Sequence, residues 1–150
     1  MNKSRKKPKR SRRSTAIKKC DKAMSEYVRH RDTHFVGYDA DGEPIRQGYC
    51  ISCGKLTLYN DLDAGHFVGR GDYAVRWDRH NVNGQCRSCN RFRAQEVWPQ
   101  YEKNLREKWG DEEVERIKAK SGSYAGWTVD KIESMAAAFA ASVKSMKEEL

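Results

Sequence analysis

The apolar residues of this chain fall into distinct periods. Ile17, Met24 and Val28 recur at helical spacing and predict a helix over residues 15–33. The period is lost over residues 34–49, where Gly37, Gly42, Pro44 and Gly48 predict a loop or an irregular hairpin. Helical spacing returns beyond residue 96. Pro99 suits a first helical position, with Tyr101 and Leu105 following at i, i+4. Gly110 should end that helix, and Asp111 is placed to cap the next, with Val114 and Ile117 inward. Residues 121–126 read as a linker. Thr128 can cap a last helix whose stripe is Ile132, Met135, Phe139, Val143 and Met146, for core or dimer packing. No internal repeat is visible.

Between these helical regions lies a cysteine- and histidine-rich segment. Cys50-x-x-Cys53 and Cys86-x-x-Cys89 share one spacing, while Cys20 stands apart and is expected to be a free thiol on a helix. In a reducing compartment such pairs point to metal rather than disulfides. Two thiolates on a tight turn, met by two more, complete the tetrahedral shell that structural zinc prefers. Ser52, Gly54, Ser88 and Asn90 supply turn chemistry at both knuckles. The expected order is knuckle, strand, loop, strand, knuckle, helix. Zinc would pin both ends of the intervening hairpin and, having no open coordination position, would be structural.

Charge changes the picture at one end. Lys3, Arg5, Lys6, Lys7, Lys9, Arg10, Arg12, Arg13, Lys18 and Lys19 stand within residues 1–19 without an acid. These ten charges exceed the net +9 of the whole chain, so residues 20–150 sum to −1. Residues 1–14 therefore read as a flexible basic arm, suited to phosphate backbones through counterion release. No apolar run approaches a membrane span, and the basic start lacks the apolar stretch of a secretory signal. A soluble, cytoplasmic protein is expected.

The hairpin also carries chemistry. His66 follows Asp63-Ala64-Gly65, and Asn81 and Asn90 flank the second knuckle. Histidine suits a general base at neutral pH, and carboxylate and amide oxygens suit magnesium or manganese. Arg70, Arg76, Arg79, Arg87, Arg91 and Arg93 surround this segment and could clamp phosphates, or simply be solvated. His80 is expected at phosphate or solvent. Trp77 belongs to a strand core or stacks on an unpaired base. Trp98, Trp109 and Trp127 read as packing anchors.

Cys50–Asn90 resembles the HNH / endonuclease VII superfamily, the ββα-metal nucleases, in which CxxC, a histidine, an asparagine and CxxC-(H/N) follow in that order. The stretches CISCGKLT, DAGHF, RWDRHNVNGQCRSCN and GWTVDKIE are similar to the phage recombination protein NinG (Rap) family, over about residues 49–149. The resemblance implies His66 as the general base, Asn90 as a ligand of the catalytic cation, and Asn81 as the brace of the hairpin. It implies 5′-phosphate and 3′-hydroxyl products. One departure is Gly65, where many relatives carry Asp or His. Asp63, two residues earlier, is the expected carboxylate ligand, with Asp61 as fallback on the same strand face.

The expected fold is α+β: a zinc-bound, treble-clef-like ββα-metal core over residues 49–95, a helix and loop over 15–48, and a helical region over 96–150. The expected function is a metal-dependent endonuclease for branched DNA such as Holliday junctions and D-loops. The arm residues Lys6, Lys7, Lys9, Arg10, Arg12 and Arg13, with Arg70, Arg76, Arg91 and Arg93, would contact DNA. A homodimer and recombination proteins are candidate partners. The alternative is a non-catalytic zinc-bearing DNA- or RNA-binding adaptor.

Overall fold

The protein is described by a computed structural model over residues 10–149. Ser11 takes the N-cap of helix α1, Arg12–Arg31, its hydroxyl accepting from Ser14 N at 3.2 Å. The helix thus starts inside the stretch read as an arm, which is corrected to end no later than residue 10. Arg12 is held by Asp130 and Glu133, and Arg13 donates to Trp127 O at 2.8 Å, so both are committed within the protein. Lys6, Lys7 and Lys9 lie outside the described residues.

Residues 34–49 form a true hairpin. Strands β1 (His34–Tyr38) and β2 (Pro44–Tyr49) pair antiparallel with an irregularity between Phe35 and Gly37. Strand β3 (Leu56–Leu58) completes this sheet. A second sheet holds only β4 (Leu62–His66) and β5 (Val82–Cys86), with Leu62 opposite Cys86 and His66 opposite Val82. The second knuckle leads into a single π-helical turn, Ser88–Phe92, instead of the longer helix expected there. Of that turn only Cys89 is buried, and Phe92 is 83% exposed, so no apolar face rewards a further turn.

Three helices follow: α2 (Trp98–Trp109), α3 (Asp111–Lys120) and α4 (Val129–Glu148). Gly110, at φ +91°, ends α2 and caps α3, so Asp111 enters the first turn instead of capping. Thr128 does cap α4, accepting from Lys131 N. The α4 stripe is spent within the chain: Ile132, Ala136 and Phe139 bury against Ala16, Cys20, Met24 and Val28 of α1, and Met135 packs beside them. A second cluster, Phe67, Val75, Tyr101, Leu105, Val114 and Ile117, ties the β4–β5 loop to α2 and α3. Burial pushes the Cys20 thiol up to about 12, which keeps it protonated in the core.

One ionic network locks α1 onto β5. Arg31 donates to Asp32, Val82 O and Asn83 Oδ1, while Asp32 accepts from Gly84 N at 2.7 Å and from Lys108 Nζ at 2.8 Å. Among the described residues, no helix is long and apolar enough to cross a membrane.

Candidate functional site

The cysteines come together as their spacing predicts. The sulfurs of Cys50, Cys53, Cys86 and Cys89 all lie within 4.8 Å of one another and could hold a metal such as zinc. Four thiolates about 2.3 Å from one zinc sit about 3.8 Å apart, and Cys53 and Cys86 are at 3.8 Å. β5 brings the two knuckles together, since Cys86 ends it and Ile51 N bonds to Gly84 O at 2.9 Å. Burial pushes the thiols of Cys50 and Cys89 up, so a cation there displaces protons as it binds.

On the other side of the hairpin a cavity of about 410 Å³ opens between α1, β4 and the π-helical turn. Asp63, His66 and Asn90 all line it. His66 Nε2 lies 2.9 Å from Arg76 O, so that nitrogen carries the proton and Nδ1 keeps its lone pair. Burial lowers the His66 pKa, partly opposed by this hydrogen bond, and the nearby Arg76 charge lowers it further. The imidazole is therefore neutral at neutral pH.

Asp63 and Asn90 are direct neighbours. Asn90 Nδ2 donates to Asp63 Oδ2 at 3.0 Å, and among the described residues the Asn90 oxygen makes no hydrogen bond that would keep it from ligating. Arg91 holds both oxygens of Asp63 at 2.9 Å, so a cationic group already occupies the carboxylate. This oxygen pair has the donor chemistry of a magnesium or manganese site. Asp61 is corrected. It belongs to a 3₁₀ turn, Tyr59–Asp61, not to the strand; it pairs with Arg87 and lines a different cavity beside the cysteines.

Asn81 is fully buried and ties the β4–β5 loop to itself. It accepts from Val68 N at 2.8 Å and donates to Val68 O and Val75 O, both at 3.0 Å. Those anchors stand two residues after His66 and one before Arg76, so Asn81 fixes both partners of the histidine bond without touching it. Gly65 also has a steric reason: a Cβ there would lie 2.1 Å from Gln85 Oε1 and 2.9 Å from Gln85 Cβ.

Arg76 is corrected as a phosphate contact. It is 9% exposed, donates to Asp21 and to Arg70 O, and serves the interior. Trp77 lies in a turn rather than a strand. It is buried and bonded to Asp21, and so cannot stack on a base. His80 stacks on Trp109 at 4.0 Å and pairs with Glu113, partly exposed to solvent and outside the lining of the arginine-walled cavity. Trp98, Trp109 and Trp127 anchor as expected, donating to Phe67 O, Asn83 Oδ1 and Tyr73 O. Arg93 pairs with Glu96 at the surface, and Arg79 spreads over the Tyr27 and Phe139 rings.

The cavity also holds residues that motif reasoning missed: Asp21, Ser25 and Arg29 of α1. They recur every fourth position beside the buried Cys20, Met24 and Val28, so a polar stripe flanking the apolar one was the available signal. Arg29, Arg70, Arg87 and Arg91 give the cavity four cationic walls.

Fold and site together define a small mixed α+β protein with a four-cysteine cluster that could bind a metal. The family model described as "Bacteriophage Lambda NinG protein" matches residues 1–149, and the chain belongs to the NinG family. It is 29% identical over 136 residues to protein ninG of Escherichia phage 933W, covering 90% of this chain and 60% of that protein. It is 27% identical to protein ninG of Escherichia phage lambda over 136 residues (90% and 59%) and 28% identical to that of Salmonella phage P22 over 137 residues (91% and 60%). The chain thus spans about 60% of the length of these relatives. No solved structure matches it.

Proposed function

We propose that this protein is an HNH-type, ββα-metal DNA endonuclease that hydrolyses phosphodiesters in branched recombination intermediates such as Holliday junctions and D-loops. The observation that carries the reading is the single cavity shared by a tautomer-fixed histidine, His66, and an acid–amide pair, Asp63 and Asn90, within arginine walls. A non-catalytic adaptor has no need of that arrangement.

In this reading Arg29, Arg70, Arg87 and Arg91 draw a backbone phosphate into the cavity. Arg76 O holds the His66 ring, and Nδ1 accepts the proton of an attacking water. Asp63 and the Asn90 oxygen would hold magnesium or manganese. Such a cation supplies neutralisation of phosphate charge and stabilisation of the leaving 3′ oxygen. The products would be a 5′-phosphate and a 3′-hydroxyl. Zinc in the cysteine cluster would keep β4 and β5 in register. Branched DNA as substrate, with recombination proteins as partners, rests on the resemblance to NinG.

The test is cleavage of a four-way junction and a D-loop with magnesium or manganese, comparing the native chain with His66→Ala. Cutting by the native chain and at least a ~100-fold loss in the variant supports general-base catalysis. An inert native chain on every branched and linear DNA, with its zinc bound, overturns the proposal.

A further inference from the structure

His66 and Asn90 form a wall between two cavities. The first is the arginine-ringed one. The second, also about 410 Å³, is lined by both residues together with Gln85, Gln95, Trp98 and Tyr101. Its lining includes no Lys or Arg, so it offers nothing to a phosphate. Its size lies within the range of small-molecule sites.

Its polar equipment is an acceptor. Gln85 is 3% exposed, and its Nε2 donates to Ser52 Oγ at 2.8 Å. Its Oε1 makes no hydrogen bond among the described residues. Every fully enclosed side-chain polar atom among them has a partner, so this oxygen keeps its access to the cavity that Gln85 lines. The Tyr101 hydroxyl is already committed, donating to Gly65 O at 2.7 Å and accepting from Asn83. Trp98 supplies a flat surface. Its indole stacks on Phe67 at 4.9 Å and is locked by the bond from Nε1 to Phe67 O, yet 38% of the residue stays exposed. Lys118 Nζ lies over this ring, 5.8 Å from its centroid, with its charge engaged by Glu102.

A rigid aromatic plane, the Gln85 acceptor and a lining without Lys or Arg suit a planar group that carries an N–H. We propose that this second cavity receives one unpaired nucleobase of the nucleotide whose phosphate enters the first. The proposal rests on the nuclease reading and sharpens its substrate. Every nucleobase has a stacking face, and each can present an N–H to Gln85, so recognition tolerates sequence. In a duplex, extruding that base costs its pairing and stacking; at a branch point with an unpaired nucleotide the cost is least. The cavity therefore selects D-loops, flaps and gapped junctions over fully paired DNA.

The test uses the full chain, zinc-loaded and without added magnesium, titrated by fluorescence anisotropy against a D-loop. Each nucleotide beside the branch is replaced in turn by an abasic site. The expected result is one position where losing the base weakens binding at least ~5-fold, with the preference abolished in both Trp98→Leu and Gln85→Met. Absence of any such position, or a preference that survives both substitutions while the variants keep their zinc, overturns the subsite. Cleavage of the same DNA with magnesium reads the nuclease proposal separately. Base preference without cleavage removes the enzyme and keeps the subsite; cleavage without base preference does the reverse.

Discussion

Asp21 and Arg76 are joined by two hydrogen bonds, Nε to Oδ1 at 3.0 Å and Nη2 to Oδ2 at 2.7 Å, across 55 residues of sequence. Asp21 Oδ1 also accepts from Trp77 Nε1 at 2.9 Å. The carboxylate thus pins the backbone segment whose carbonyl, that of Arg76, holds the His66 ring. A helix outside the cysteine-bounded hairpin thereby sets the position of the proposed base. Asp21→Asn keeps the shape and removes the charge. Turnover should fall roughly 10- to 100-fold, since small misplacement of a base is costly. Losing the Asp21 charge, which raises the His66 pKa, should also move the acidic limb of the pH–rate profile lower. Asp21→Glu should restore part of the rate. An unchanged profile in Asp21→Asn would show that Asp21 serves stability alone.

The cysteine cluster makes a second prediction. Cys86→Ser should lose bound zinc, read by elemental analysis, and lower the melting temperature by at least about 6–12 °C. That figure takes at least ~3 kcal/mol lost and a shift of about 2–4 °C per kcal/mol at this size. Cys20→Ala should keep the zinc, because its sulfur lies in the α1–α4 core. Equal zinc content in both variants would refute the cluster as the metal site.

What the sequence made legible follows from the range of each signal. The knuckles, the turn residues and the helical stripes are local patterns, and the sulfurs and most helices were readable from spacing. Thr128 as a cap needed only its own neighbours. The errors arise where a distant partner decides. Arg76 and its sequence neighbours Arg70 and Arg79 look alike, yet only Arg76 meets Asp21 and sinks into the interior. His80 sits beside Asn81 but finds Trp109 and Glu113 of the helical region. Arg12 reads as arm until Asp130 and Glu133 anchor it. The α4 stripe is equally apolar whether it meets α1 or a second copy, and only the tertiary packing decides between them.

Gly65 supports a third prediction. A Cβ at this position meets Gln85 Oε1, Cβ and Cδ at 2.1, 2.9 and 3.0 Å, and Gln85 is itself buried and bonded to Ser52. Gly65→Ala should cost about 1–3 kcal/mol through forced repacking. Gly69→Ala, with nothing within 4 Å, should be near neutral. Gly65→Asp, which adds a larger and charged side chain at the same place, should destabilise more than Gly65→Ala. Chemical denaturation of the three variants checks the ranking, and a stable Gly65→Ala would show that Gln85 yields freely.

Acid stability follows from one buried and one half-buried histidine, His30 and His66. Burial, then the charge of Arg46, lowers His30 from 6.5 to about 4, and burial lowers His66 as well. Below pH 6.5 the unfolded chain takes up protons that the folded chain refuses. Stability should therefore fall as pH drops from 6.5 toward 4, by up to about 3 kcal/mol from His30. Asp32 and Glu113, both lowered, extend the loss further into acid. His30→Leu should flatten the pH 6.5–4 slope of melting temperature. An unaltered slope would assign the acid loss to His66 and the carboxylates.

Arg91 makes the last prediction. It grips both oxygens of Asp63, the carboxylate that would also hold the catalytic cation, and it stands half exposed on the rim of the cavity. One carboxylate cannot fully satisfy both partners. Cation binding should therefore displace Arg91 and free its guanidinium for phosphate. Arg91→Ala removes the competitor, so manganese should bind several-fold more tightly by calorimetry. The same variant should bind DNA more weakly, with a salt slope shallower by about one phosphate contact. Asp63→Asn should weaken manganese binding while leaving the zinc in place. Tighter manganese with unchanged DNA affinity would make Arg91 a counter-ion only. Unchanged manganese affinity in both variants would place the divalent cation away from Asp63.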